Sequence, residues 1–216
     1  MKISINNWMG NSLSNLWRRR DPYLFKALEQ QLEHRLEEIL NTKLPQQILQ
    51  MDHLLTEIKE NKHKQLDGQF IKQLVEKTRP LFISLGSNLL LILSRLQLLT
   101  TNPKIETEVT IYDELATVQN TTFARWDCLK DQIETLLTYQ NKRAKLLRKL
   151  QRSQGDDAIV EFDQKFVDEL SNHLEEQRNL NLVLLTMFER NLKYLLPHPK
   201  NPTQDQYHQR SMNLYF

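Results

Sequence analysis

Apolar side chains recur at three- and four-residue spacing along most of this chain. The first series is Leu24, Leu28, Leu32, Leu36, Ile39, Leu40 and Leu44, continued by Ile48, Met51, Leu54, Leu55 and Ile58. That spacing lays one stripe along a helix and predicts an amphipathic first helix. Pro45 has no N–H to give and predicts a kink within it. After the polar stretch 61–68, the series Phe70, Leu74, Leu81, Leu85, Leu89, Ile92, Leu96 and Leu99 predicts a second helix that crosses Pro80. Leu89 to Leu93 is apolar nearly all round, as befits a segment with neighbours on several sides. Thr100-Thr101-Asn102-Pro103 breaks it. A third helix carries Leu115, Val118, Trp126, Leu129, Ile133, Leu136, Leu137, Leu147 and Leu150, and ends near Ser153-Gln154-Gly155. The fourth runs from about Ile159 to Leu196, with Asp156 and Asp157 at its start, where carboxylates meet free backbone amides.

The pattern therefore predicts an all-α chain. Four helices of about 35 residues would each be roughly 50 Å long, and their short connections make neighbours antiparallel. An up-down-up-down four-helix bundle over 22–200 follows, with an N-terminal extension at 1–21 and a tail at 201–216. In that topology the turn between the second and third helices, residues 101–113, lies at the same end as the C-terminus.

Composition agrees with long helices. Among 216 residues there are only 4 glycines, too few for a chain built on tight turns or phosphate-cradling loops. The formal charge is +2, from 29 basic and 27 acidic side chains, so no global field argues for nucleic acid. A lone cysteine, Cys128, excludes an intrachain disulfide and an all-cysteine zinc site, and favours cytoplasm or nucleus. No run of about 20 apolar residues is present, so no membrane span is expected. In residues 1–21 the arginines 18–20 follow the apolar residues, the wrong order for a secretory signal. Trp8 and Trp17 beside those arginines leave two readings, contact with a membrane surface or packing on the domain.

Chemistry-bearing clusters are sparse. Glu29, Glu33 and Glu37 share a helical face, but a di-iron bundle needs Glu-x-x-His on two helices, and that spacing does not occur. His34 and His173 read as surface or core-edge residues. Lys142 to Leu150 forms a basic amphipathic helix end, readable as a nuclear-localisation or anionic-surface patch or as cations favoured near a helix C-terminus. No phosphate loop, nucleophile elbow or metal motif is found, and neither catalysis nor a cofactor is expected.

The ending is more specific. Pro197, Pro199 and Pro202, followed by Gln204, Asp205 and Gln206, form a semi-extended tether that cannot continue the helix. Leu214, Tyr215 and Phe216 then place two aromatic rings beside a carboxylate, which suits an apolar pocket with a cationic or amide anion site. A frayed end, or the remnant of a protease-cleavage tag with Met212 in place of its glutamate, are the other readings.

Several pieces in order resemble the 11S (REG-type) proteasome activators. Leu44-Pro45-Gln46-Gln47-Ile48 followed by Met51-Asp52-His53-Leu54-Leu55 is similar to the family's first helix with its internal proline. Arg79-Pro80, Leu96-Gln97-Leu98 and Pro103-Lys104-Ile105-Glu106 resemble the second helix and the entry to the activation loop. Val167-Asp168-Glu169-Leu170, Arg178 and Asn191-Leu192-Lys193-Tyr194-Leu195 to Pro199-Lys200 resemble the closing helix and its exit. The resemblance covers most of residues 22–200.

It implies a non-enzymatic activator that assembles into a heptameric ring and caps the α-subunit ring of the 20S proteasome. Apolar faces left over on each bundle would then bury against neighbours. The docking tail falls on Leu214, Tyr215 and Phe216, and the gate-acting loop on Ile105, Glu106, Thr107, Glu108, Val109, Thr110 and Ile111. The family's glycine-bearing loop is replaced here by Thr107-Glu108-Val109-Thr110-Ile111-Tyr112-Asp113, which lacks cheap access to positive φ. The alternative is a helical scaffold or adaptor that binds a partner helix or a membrane surface.

Overall fold

The computed structural model describes residues 22–61, 68–101, 109–150 and 156–196. Every described residue is helical except Thr101, Asn191 and Leu196. The elements are α1 (Pro22–Glu38), a π turn (Ile39–Lys43), α2 (Leu44–Asn61), α3 (Gly68–Thr100), α4 (Val109–Leu150), α5 (Asp156–Arg190) and α6 (Leu192–Leu195). Contacts divide the chain after Arg35. The first unit contributes only the helical residues 22–35 to the description, and the bundle belongs to the second.

The disruption expected at Pro45 takes the form of the π turn. Within an unbroken α-helix, Pro45 would leave the carbonyl of Asn41 without its donor and push a ring against it. The chain instead widens by one residue just before the proline, and the Leu44 amide donates to the Ile39 carbonyl five residues back. Pro80 is exposed and stands inside α3, which continues as α-helix on both sides of it.

Each helix in the bundle meets two neighbours. α3 packs most extensively on α4, α2 on α5 and α4 on α5; α2 also meets α3, and the diagonal between α3 and α5 is slight. Hydrogen bonds give the directions. Between α2 and α3, Gln47 pairs with Ser84 and Glu57 with Lys77. Between α4 and α5, Gln132 pairs with Gln177 and Tyr139 with Asp163. In each pair of helices one number rises as the other falls, so these neighbours are antiparallel, as the short connections require.

The core follows most of the predicted stripes, with Leu44, Met51, Leu74, Leu85, Leu89, Leu96, Leu115, Leu129 and Leu174 all fully buried, and it also takes in Phe82; Leu137 and Leu147, expected on the third stripe, are instead exposed. α3 is long and apolar enough, by length and composition, to cross a membrane. In the bundle 56% of its most apolar window is buried, which is why it is apolar on several sides. Gly86 lies on this helix against α4. A Cβ there would meet Leu129 Cδ2 at 3.6 Å, an ordinary contact. Gly86→Ala is therefore expected to stabilise the fold by about 0.5–1 kcal/mol through helix propensity and unfolded-state entropy, read as a higher denaturation midpoint.

Polar residues interrupt the core in matched pairs. Gln47 Nε2 donates to Ser84 Oγ at 3.0 Å, and Asn88 Nδ2 donates to Gln47 Oε1 at 3.2 Å. Gln132 Nε2 donates to Glu176 at 3.0 Å and Gln177 Nε2 donates to Gln132 at 2.9 Å. Arg178 and Asp52, which sit in two of the segments compared above, join α5 to α2 at 2.8 Å. Among the exposed charges, Glu57 and Lys77 pair at 2.7 Å.

Among the charged arrangements the most buried carboxylate is Asp163, whose side chain is 4% exposed. The Tyr139 hydroxyl donates to it at 2.7 Å, and Arg143 Nε and Nη2 reach its two oxygens at 2.9 Å. The Tyr139 ring stacks on Phe166 with centroids 3.7 Å apart. Arg143 is thereby withdrawn from the basic stretch 142–149 into an ion pair.

Burial first, and then the bond to Asp163, push the Tyr139 phenol well above its ordinary value. An unfolded tyrosine ionises near pH 10 while the folded one holds its proton, so this contribution is complete below about pH 10 and is lost as pH rises above it. Tyr139→Phe is expected to show a shallower loss of denaturant stability than the parent above about pH 10. Equal slopes would assign the alkaline loss to other groups.

Candidate docking end of the bundle

The end of α3, the start of α4 and the end of the α5–α6 segment come together, as the antiparallel topology requires. Gln119 Nε2 donates to Gln97 Oε1 at 2.7 Å, and the Thr100 hydroxyl donates to Gln119 Oε1 at 3.3 Å, tying α3 to α4. Arg95 Nε donates to the Leu195 carbonyl at 3.2 Å, tying α3 to α6. The Lys193 ammonium sits 4.6 Å from the Tyr194 ring centroid. It is held above its ordinary value mainly by hydrogen bonding with Tyr194, with a lesser contribution from the Glu114 carboxylate at the start of α4.

The fourth predicted helix is not continuous to Leu196. Asn191 takes φ −102° and ψ 9°, outside the helical region, and its amide reaches the carbonyls of both Met187 at 3.2 Å and Phe188 at 3.1 Å. The Asn191 side chain adds a bond from Nδ2 to the Met187 carbonyl at 3.0 Å. An asparagine that bonds its own preceding turn gives the backbone an alternative to continuing the helix. The chain then forms one more turn, and Leu195 and Leu196 are buried in the core at 0% and 6% exposure. The described chain therefore ends in a packed turn.

Of the residues named for the loop, Ile105 to Glu108 lie outside the described residues, as do Leu214, Tyr215 and Phe216. Val109, Thr110 and Ile111 are placed, and they correct the expected turn of 101–113: they open α4. The resemblance had assigned them to the gate-acting loop, but Ile111 continues the stripe of Leu115 and Val118 and packs against the core. Val109 is 68% exposed and Thr110 is exposed, so the first turn presents an apolar side chain outward.

Sequence reasoning did not single out Arg95 or Gln119. Arg95 was detectable as a charge standing between Ile92 and Leu96 in the buried register. Elsewhere, an open groove of about 640 Å³ between α2 and α3 is lined by residues that include Lys43, Gln50, His53, Lys77 and Ser84. No group of three or more His, Cys, Asp or Glu side chains arranged to hold a metal occurs among the described residues.

These features define an all-α antiparallel four-helix bundle with its chain exit and its α3–α4 connection at one end. No family model matches the chain, and no curated protein does. Among solved structures it is similar to the 11S subunit of the Plasmodium falciparum proteasome, PA28, with a TM-score of 0.58 at 18% identity over 85% of this chain and 97% of that one. At that identity the likeness establishes the fold.

Proposed function

We propose that this protein is an ATP-independent proteasome activator that assembles into a ring, heptameric by the family's precedent, and caps the 20S proteasome in the cytoplasm or nucleus. Its C-terminal tails would dock on the α-subunit ring, and the α3–α4 connection would act on the gate. The observation that carries this reading is the placement of the tail's departure point and that connection at one end of an 11S-like bundle. Exposed apolar side chains support self-association: Ile83 and Leu90 on α3 with Phe123 and Leu137 on α4, and Leu49 on α2 with Val183 on α5. These fall on the α3–α4 and α2–α5 halves of the bundle. A closed ring needs two such different surfaces on each subunit, because its interfaces are head-to-tail.

The test is hydrolysis of a short fluorogenic peptide by purified 20S proteasome with and without the protein, alongside co-sedimentation and analytical ultracentrifugation. Stimulation by a large discrete oligomer supports the proposal. Binding without stimulation would make the protein a cap whose altered connection does not move the gate. A monomer that neither binds nor stimulates returns the chain to the adaptor reading.

A further inference from the structure

Arg95 is the largest fully buried side chain among the described residues, 1% exposed in a stretch where Ile92, Leu96 and Leu99 are also buried. Burying a guanidinium is unfavourable unless its N–H groups are hydrogen-bonded, and leucine or methionine would fill the same space without that cost. Its Nε donates to the Leu195 carbonyl across 100 residues of sequence. That carbonyl belongs to the last turn of a four-residue helix, where backbone acceptors have no intrahelical donor. Leu195 stands two residues before Pro197, where the tether begins, and Arg95 stands six residues before Thr101, where α3 gives way to the connection.

We propose that Arg95 is a positioning residue that ties the departure point of the C-terminal tail to the end of α3, so that the tail and the α3–α4 connection respond as one unit. The part that concerns docking rests on the function proposed above. A side chain that only filled space would be replaced better by methionine than by lysine. A side chain needed as a cationic donor would be replaced better by lysine.

The experiment compares Arg95→Met and Arg95→Lys with the parent by hydrogen–deuterium exchange of the full chain, read at the amides of Tyr194, Leu195 and Leu196. In the parent these amides donate to Asn191 and Leu192 carbonyls. Arg95→Met is expected to keep its helical content and assembly size yet exchange there about tenfold faster, with Arg95→Lys nearer the parent. Unchanged exchange in Arg95→Met, or faster exchange in Arg95→Lys than in Arg95→Met, overturns the proposal. Should Arg95→Met not fold, Arg95→Lys decides alone: retained protection supports the tie and its complete loss overturns it. With 20S proteasome, the methionine variant is expected to lose stimulation and bind about tenfold more weakly, because tails with unfixed departure points add less avidity. If the parent itself does not bind, the proposed function fails, and the exchange comparison still decides the role of Arg95.

Discussion

Removing Leu214, Tyr215 and Phe216 is expected to abolish co-sedimentation with 20S proteasome and leave the melting temperature and helical content of the bundle unchanged. The separation of effects follows from the distance along the chain. Leu195 and Leu196 belong to the core, and residues 214–216 come 18 residues later, so their removal is expected to leave that core intact. The tether of 197–213 is rich in proline and polar residues and would reach roughly 50 Å when extended. One such tail would bind weakly. Several tails on one ring multiply the effect, each raising the local concentration of the next by a factor that takes avidity about 10²–10⁴ above a single contact. Truncating every tail at once should therefore remove binding outright. Retained binding by the truncated protein would refute the docking role of these three residues.

The second large effect concerns stability. Asp163→Ala is expected to cost about 3 kcal/mol, because it leaves a partly buried guanidinium and a buried phenol facing an empty site. For a domain of this size that lowers the melting temperature by roughly 6–12 °C. Arg143 keeps 28% exposure, which places the cost at the lower end for broken buried pairs. The exposed Glu57 and Lys77 pair is a control: Glu57→Gln should change stability by less than about 1 kcal/mol, since solvent screens such pairs. A double variant, Arg143→Met with Asp163→Leu, should recover most of the loss if the deficit arises from stranded polar groups. Calorimetric or denaturant melts of the four proteins decide it. Equal losses for Asp163→Ala and Glu57→Gln would mean the buried triad contributes no more than a surface pair.

Much of the architecture was legible in the spacing of leucines. The stripes of α2, α3, α4 and α5 each run for several turns, and short connections left their antiparallel order little freedom. The expected location of the disruption near Pro45 was also readable, but not its form, because a π turn differs from a kink only in which carbonyl finds the next amide. The start of α4 was misplaced because the resemblance assigned residues 105–111 to the loop, whereas Ile111, partly buried against the core, carries the helical stripe of Leu115 and Val118 one turn earlier. The fourth helix was read as continuous to Leu196, since the preference of Asn191 for bonding the preceding turn leaves no periodic mark.

The polar pairs were the larger omission. Asp163 stands in register with Ile159, Phe166 and Val167, and Arg95 with Ile92 and Leu99. A charge at a core position is a visible anomaly in a sequence, but its partner lies on another helix and no local pattern names it. The docking residues themselves were suggested by resemblance and by the chemistry of the ending, not by periodicity.

A seam made only of leucines tolerates slippage, because moving one helix by a turn of about 5.4 Å brings another leucine opposite the same hollow. The Asp163 triad and the Gln132–Gln177 and Gln47–Asn88 pairs do not tolerate it, since the same movement would strand amides and a carboxylate against hydrocarbon. They act as detents along two of the helices' shared edges, α4–α5 and α2–α3. Every copy of the protein consequently holds Leu196 in the same register with the α3 it packs near, and a set of copies standing side by side would offer a level rim.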